Sequence, residues 1–202
     1  MQSFLYRYVQ LLFFFLPLLS TAQNSQLRAY SSEDGLPQSE VFDIIQDDKG
    51  YLWIGTQGGG LCRFDGDEIK VWNENQGLPS NYINALLYQA DTLFIGTKRG
   101  LSLKTKSSFY HVEGPRINKI FTIKNTLYLS STIGLYTYNK SNGIQKVPLH
   151  PKINTSSIKD IVYDGKLYWI ATDKGLWKLN SLQQNASIID LHSPCLLYTS
   201  PS

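Results

Sequence analysis

The chain has 202 residues, 42% hydrophobic and 13% aromatic, with 19 Lys and Arg against 16 Asp and Glu for a formal charge of +3. So small an excess of charge singles out neither a nucleic acid nor a membrane surface as a partner. Two cysteines, Cys62 and Cys195, exclude a multi-disulfide framework and a thiolate metal cluster.

Residues 1–22 read as an export signal rather than as part of the fold. Arg7 gives a positive start, Val9–Leu19 is an apolar core interrupted by Pro17, and Ser20-Thr21-Ala22 offers small residues for cleavage after Ala22. The core is too short to span a bilayer comfortably, and an uncleaved anchor is the weaker alternative. Next comes Gln26–Tyr30, QLRAY, which precedes Asp34-Gly35-Leu36-Pro37 just as Glu68–Trp72, EIKVW, precedes Gln76-Gly77-Leu78-Pro79. Residues 26–30 are therefore expected as an outer strand that closes a ring by completing its last blade.

From Asp34 onward the chain repeats itself. YLWIGTQGGGL at Tyr51–Leu61 returns as LFIGTKRGL at Leu93–Leu101, LYLSSTIGL at Leu127–Leu135 and LYWIATDKGL at Leu167–Leu176. Each copy is an apolar run, a small-residue break and a Gly-Leu pair leading to a second apolar run. The Gly-Leu pairs at Gly60, Gly100, Gly134 and Gly175 are 40, 34 and 41 residues apart. A period of roughly 40 residues with several short strands per unit is that of a β-propeller blade.

The expected inner strands are Val41–Ile45, Ile83–Tyr88, Ile117–Ile123 and Ile158–Tyr163. The apolar runs follow as second strands, buried on both faces between blades. Leu61–Phe64, Leu101–Leu103, Leu135–Tyr138 and Leu176–Leu179 return, and Glu68–Trp72, Ser108–Val112 and Gly143–Leu149 lie outermost. The expected fold is all-β: about four four-stranded antiparallel blades, over residues 34–73, 76–112, 115–150 and 155–190, within a partial propeller spanning 23–194. Leu52, Trp53, Ile54, Leu93, Phe94, Ile95, Leu127, Tyr128, Leu129, Trp169 and Ile170 are its expected core.

Cys195–Ser202, CLLYTSPS, is identical to one translated frame of a transposon-derived sequencing adapter. It is read as a non-native scar, so the native frame is expected to stop near Pro194 and the chain to be a fragment. Such an open arc is expected to aggregate through its uncovered blade faces, without enzyme activity or signalling output.

The run G-L-P at Gly35–Pro37, D-x-x-G-x-L-W-I-G-T through Asp47–Thr56, and G-L with F-D-G at Gly60–Gly66 resembles the two-component regulator propeller repeat. The resemblance covers about residues 26–180, strong in the first two copies and degenerate in the third at Ser130-Ser131. It implies the periplasmic sensor region of a Bacteroidetes regulator, with seven-bladed propellers. A transmembrane helix and a histidine kinase or DNA-binding output module would follow outside this chain. It further implies a glycan-related or other small-molecule ligand, a membrane link only through that missing helix, and homodimerisation of the full-length protein.

No residues stand out for chemistry. Asp48-x-Gly50-x-x-Trp53 resembles the Asp-box of sialidase propellers, but Asp-x-Gly before an aromatic strand is what a tight turn prefers. Glycosidases need two carboxylates across the scissile bond or a Tyr nucleophile with an acid partner, and no pair is singled out. His111, His150 and His192 are scattered without metal-ligand spacing. Gln57-Gly58-Gly59-Gly60 lacks the Lys-Ser/Thr and the helix of a phosphate loop. Asn154-Thr155-Ser156 and Asn185-Ala186-Ser187 fit a glycosylation pattern of little weight in a bacterial protein. Trp53, Trp72, Trp169 and Trp177 could stack on sugars or simply pack, and Cys62 fits a small buried hydrophobe.

No catalytic, cofactor or metal residue is therefore assigned, and the ligand-binding residues stay unknown. Three functions remain open: a ligand-sensing domain of a regulator, a propeller enzyme acting on polysaccharide such as a glycosidase or lyase, and a protein-interaction platform. The first is preferred on the resemblance.

Overall fold

The computed structural model describes residues 27–106 and 108–183. The export segment with its cleavage point after Ala22, the Asn185 pattern, His192 and the tail Cys195–Ser202 lie outside the described residues. Two units divide the chain, residues 1–30 and residues 31–202. In the first, Leu27–Tyr30 is not a strand, which corrects the outer strand expected there. Residues that suit a strand become one only through ladder hydrogen bonds, which local pattern does not supply.

The second unit holds four antiparallel meanders. The first is β1 (Val41–Gln46), β2 (Leu52–Thr56), β3 (Leu61–Phe64) and β4 (Ile69–Trp72). The second is β5 (Ile83–Gln89), β6 (Thr92–Thr97), β7 (Gly100–Lys104) and β8 (Phe109–Glu113). The third is β9 (Ile117–Ile123), β10 (Thr126–Ser131), β11 (Gly134–Asn139) and β12 (Gly143–Lys146). The fourth is β13 (Ile158–Tyr163), β14 (Tyr168–Thr172) and β15 (Gly175–Leu179). Three blades thus have the expected four strands, and the fourth has three among the described residues. β12 ends earlier than expected, just before Val147 and Pro148, because proline has no N–H for a ladder.

Each Gly-Leu-Pro lead-in is the end of a capped 3-10 turn. Ser31 and Asp34 form a reciprocal capping box around Ser32–Asp34, and Asn73 and Gln76 form another around Glu74–Gln76. Gly35 and Gly77 then take left-handed backbone (φ 96° and 93°) that reverses the chain. The leucines that follow, Leu36 and Leu78, are buried.

The small-residue break does two jobs. A Cβ on Gly55 would stand 2.7 Å from Ile83 Cγ2, and one on Gly96 would stand 2.8 Å from Ile117 Cγ2, so each glycine admits the inner strand of the next blade. The hydroxyl beside it closes the hairpin. Thr56 Oγ1 donates to the Gly60 carbonyl at 2.7 Å, and Thr97, Ser131 and Thr172 donate to the carbonyls of Gly100, Gly134 and Gly175 at 2.9 Å each. Those four glycines all have φ between 95° and 129°.

Every inner strand also carries a register shift at its second residue, Phe42, Asn84, Asn118 or Lys159. The resulting bulge lets a side chain reach the next blade. Asn84 Nδ2 donates to the Ile117 carbonyl at 2.9 Å, and Asn118 Nδ2 to the Ile158 carbonyl at 3.0 Å.

Apolar packing lies between consecutive blades, as expected. Trp53 and Leu61 meet Ile83, Leu86, Leu93 and Ile95 at the first interface. Ala85 and Leu101 meet Ile117, Ile120 and Leu129 at the second, and Ile123 and Leu135 meet Ile158, Ile161 and Ile170 at the third. Burial within the second strands alternates instead of being continuous. Trp53, Leu93, Ile95, Leu129 and Ile170 are buried, while Leu52, Ile54, Phe94, Leu127, Tyr128 and Trp169 are only partly covered. Alternate strand residues face opposite ways, so Leu52 and Ile54 lie on the face of the first blade turned away from the second. Phe94 and Tyr128 do pack on the next blade, at its more open end.

Candidate functional site

The first two blade interfaces open into clefts along one edge, where the first hairpin of one blade meets the end of the third strand of the next. In the first blade that hairpin is Asp47–Gly50. Asp47 Oδ1 accepts the amides of Lys49 and Tyr51, and its Oδ2 accepts Trp53 Nε1 at 2.9 Å. Asp164 repeats this in the fourth blade, with Oδ1 on the amides of Lys166 and Leu167 and Oδ2 on Trp169 Nε1 at 2.9 Å. Those donors hold the Asp164 carboxyl well below its ordinary range, at about 2, the Trp169 indole contributing most. The second and third blades use two-residue hairpins instead, Ala90-Asp91 and Lys124-Asn125, all four residues at positive φ.

The Asp-box resemblance therefore resolves into structure. Asp47, the first residue of the D-x-x-G run, rather than Asp48 holds the turn and the indole. Asp48 reaches the next blade, where its Oδ1 accepts the Tyr88 hydroxyl at 2.7 Å. That bond pushes the Tyr88 phenol upward, because ionising it would set two negative oxygens together.

The other candidates disperse. Trp53 is buried 5.4 Å from the Trp72 ring, and Trp177 donates to Thr172 Oγ1 at 3.1 Å. The amides of Gly58 and Gly60 both donate to the Asn81 carbonyl, so the glycine run is a closed hairpin. His150 Nδ1 accepts the Lys152 amide, and Asn154 Oδ1 accepts the Leu149 amide. Among the described residues no three His, Cys, Asp or Glu gather as a metal site. Cys62 is buried, which pushes its thiol up to about 12.

Two clefts have chemical character. The first, about 340 Å³, lies between the first and second blades and includes Lys49, Tyr51, Arg63, Lys104 and Lys106 with Asp47 and Asp91. The second, about 710 Å³, lies between the second and third blades. Phe94, Tyr110 and Tyr138 give it aromatic walls, and Gln89, His111, Asn125 and Asn139 give it polar groups. Phe94 and Tyr138 meet edge to face at 6.3 Å, and Tyr110 is 61% exposed. His111 Nδ1 lies 3.5 Å from Ser102 Oγ. Of these residues the sequence singles out His111 as a candidate ligand and Phe94 as core; the rest come together across strands whose register local pattern does not show.

Comparison with known proteins places this geometry. Residues 35–58 match the family model for the two component regulator propeller. Over that stretch the chain is similar to a two component regulator propeller repeat. Over 67 residues the chain is 45% identical to a protein named histidine kinase P4 from Formosa agariphila, covering 32% of the chain and 5% of that protein. Among solved structures, one named as the extracellular domain of a hybrid two component system of B. thetaiotaomicron superposes with a TM-score of 0.66. It is 22% identical, over 84% of this chain and 24% of that one. The extracellular domain of a one component system from the same organism gives 0.61 at 21% identity, over 80% and 23%. These likenesses establish the propeller fold. The chain spans about a quarter of either solved domain and a small part of the kinase.

Proposed function

We propose that this propeller is the extracytoplasmic, ligand-sensing portion of a two-component-type regulator, and that it binds a glycan fragment between its second and third blades. The repeat match and the named relatives support the regulator setting. The observation that carries the ligand reading is the second cleft. Its aromatic walls offer faces for the C–H surfaces of a sugar ring, and its side-chain amides can meet hydroxyl groups.

Binding rather than hydrolysis is the reading favoured here. Among the described residues no Asp or Glu lines the second cleft, whereas glycoside hydrolysis takes a carboxylate pair or a comparable acid partner. In this account the portion works outside the cytoplasm after export. It passes ligand occupancy, through a membrane helix and a dimer of the longer protein, to a kinase or DNA-binding module.

A thermal-shift screen against neutral oligosaccharides tests the reading. At least one should raise Tm in the parent protein, and Tyr110→Ala should abolish that rise while leaving the ligand-free Tm nearly unchanged. Failure of the whole panel, or an equal rise in Tyr110→Ala, contradicts it.

A further inference from the structure

The first cleft differs from the second in a way that the fold does not require. In the first blade a cross-strand row runs Ile45, Trp53, Arg63, Lys70, and in the second a row runs Tyr88, Leu93, Lys104, Phe109. The apolar members of both rows pack in one cluster, so the rows face each other across the interface. Three cations therefore stand in two rows that meet.

The repeat shows what the fold asks for at these places. At the second interface the positions of Arg63, Lys70 and Lys104 are filled by Leu103, Tyr110 and Tyr138. At the third they are filled by Thr137, Gln145 and Leu179. No cation occupies any of the six.

The cost of the arrangement is visible. Arg63 and Lys70 are direct cross-strand partners, and like charges so placed repel. Lys104 Nζ lies 5.3 Å from the Trp72 ring centre, 5.7 Å from Trp53 and 5.2 Å from Phe109. Its pKa is lowered, first by burial and then by the charges of Arg63 and Lys70. The Arg63 guanidinium stacks 4.3 Å from the Tyr51 ring centre, and its buried Nε has no hydrogen-bond partner in the protein.

Carboxylates nearby accept their hydrogen bonds elsewhere, although Asp65 also feels the charge of Arg63. Asp47 holds Trp53 and two amides, Asp48 and Asp91 accept the Tyr88 hydroxyl, and Asp65 takes the amides of Asp67 and Glu68. Among the described residues none forms an ion pair with Arg63, Lys70 or Lys104. Among the described residues Lys104 donates only to the Thr105 carbonyl, at 3.3 Å. Ring faces soften the burden of a part-buried ammonium, yet they leave its N–H donors largely unused.

We infer that the first cleft is an oxyanion site, in which Arg63 and Lys104 grip a carboxylate or sulfate group and Lys70 adds long-range attraction. A guanidinium and an ammonium on opposite walls provide charge-assisted donors for such a group, and the part-buried setting strengthens them. This site stands apart from the glycan reading, since it lies in a different cleft and its main probe is inorganic sulfate.

Trp53 and Trp72 give the test a built-in reporter. Sodium sulfate is titrated at constant ionic strength while indole emission and Tm are followed, with acetate and glucose 6-sulfate as parallel arms. The parent protein should give a saturable response, weakened about tenfold or more in Lys104→Met and severalfold in Lys70→Gln. The response should persist in Lys119→Met, whose lysine pairs with Asp160 at the third interface. Without sulfate, Lys104→Met should melt no lower than the parent, because an unpaired charge has left. Tighter binding of glucose 6-sulfate than of sulfate assigns the group to a larger ligand, and equal binding assigns it to a free anion. A linear, unsaturable response in the parent overturns the inference. So does a response that survives unchanged in Lys104→Met or, should that variant not fold, in Lys70→Gln.

Discussion

Asn84 crosses the second blade interface to donate from Nδ2 to the carbonyl of Ile117 at 2.9 Å, and Asn118 repeats the contact one blade later on Ile158. Both residues sit on the bulge of an inner strand, so the bulge couples consecutive sheets by hydrogen bonds where apolar packing is not the only tie. Asn118→Ala leaves a part-buried carbonyl without this donor and should lower stability by about 1 kcal/mol. Chemical denaturation with an unchanged m-value is the check. No loss of stability would show that the bond contributes little beyond the packing around it.

Trp53 and Trp169, on the second strands of the first and fourth blades, should behave differently. Trp53 is 7% exposed inside the first interface, and its truncation to alanine should cost about 3–5 kcal/mol. Trp169 occupies the corresponding place in the fourth blade but is only partly covered, so Trp169→Ala should cost clearly less. Equal losses would contradict the assignment of Trp53 to an inter-blade core.

Asp164 predicts a pH dependence. Its folded pKa, about 2, lies below the ordinary 3.8, so its contribution to stability is fully present above about 3.8 and is lost as pH falls through 2. Asp164→Asn should flatten the acid limb of a Tm-versus-pH curve, since the amide cannot lose that contribution. An acid limb unchanged by the substitution would place the responsible carboxylate elsewhere.

Cys62 should be silent until the protein unfolds. Its thiol is raised from 9.0 to about 12 by burial, so the thiolate is scarce at any ordinary pH. In a Cys195→Ser background a disulfide reagent at pH 8 should react with less than one equivalent when native and with one when denatured. Rapid native labelling would contradict burial of the third strand of the first blade.

The fold was largely legible because a blade writes its rules locally. The strands Ile117–Ile123 and Ile158–Tyr163 match their expected limits, since the apolar spacing and the flanking turn residues decide them. Gly60, Gly100, Gly134 and Gly175 marked the hairpins, and the hydroxyls that close them were in plain view but went unread. The candidate sites were not legible. Arg63 and Lys104 belong to different blades, and Tyr110 meets Tyr138 in a cleft only after four strands have found their register. Such juxtapositions depend on how one sheet stacks on the next, which no local pattern records. Leu27–Tyr30 shows the converse: a strand-like pattern without a strand.

Hydrogen exchange tests the central claim, that ligand enters between the second and third blades at the edge of the first hairpins. It is measured with and without the oligosaccharide giving the largest rise in Tm. Protection concentrated in residues 88–94, 108–112 and 124–127, with Gln57–Gly60 and Lys98–Arg99 at the opposite edge unchanged, is the predicted result. Protection confined to that opposite edge would contradict it.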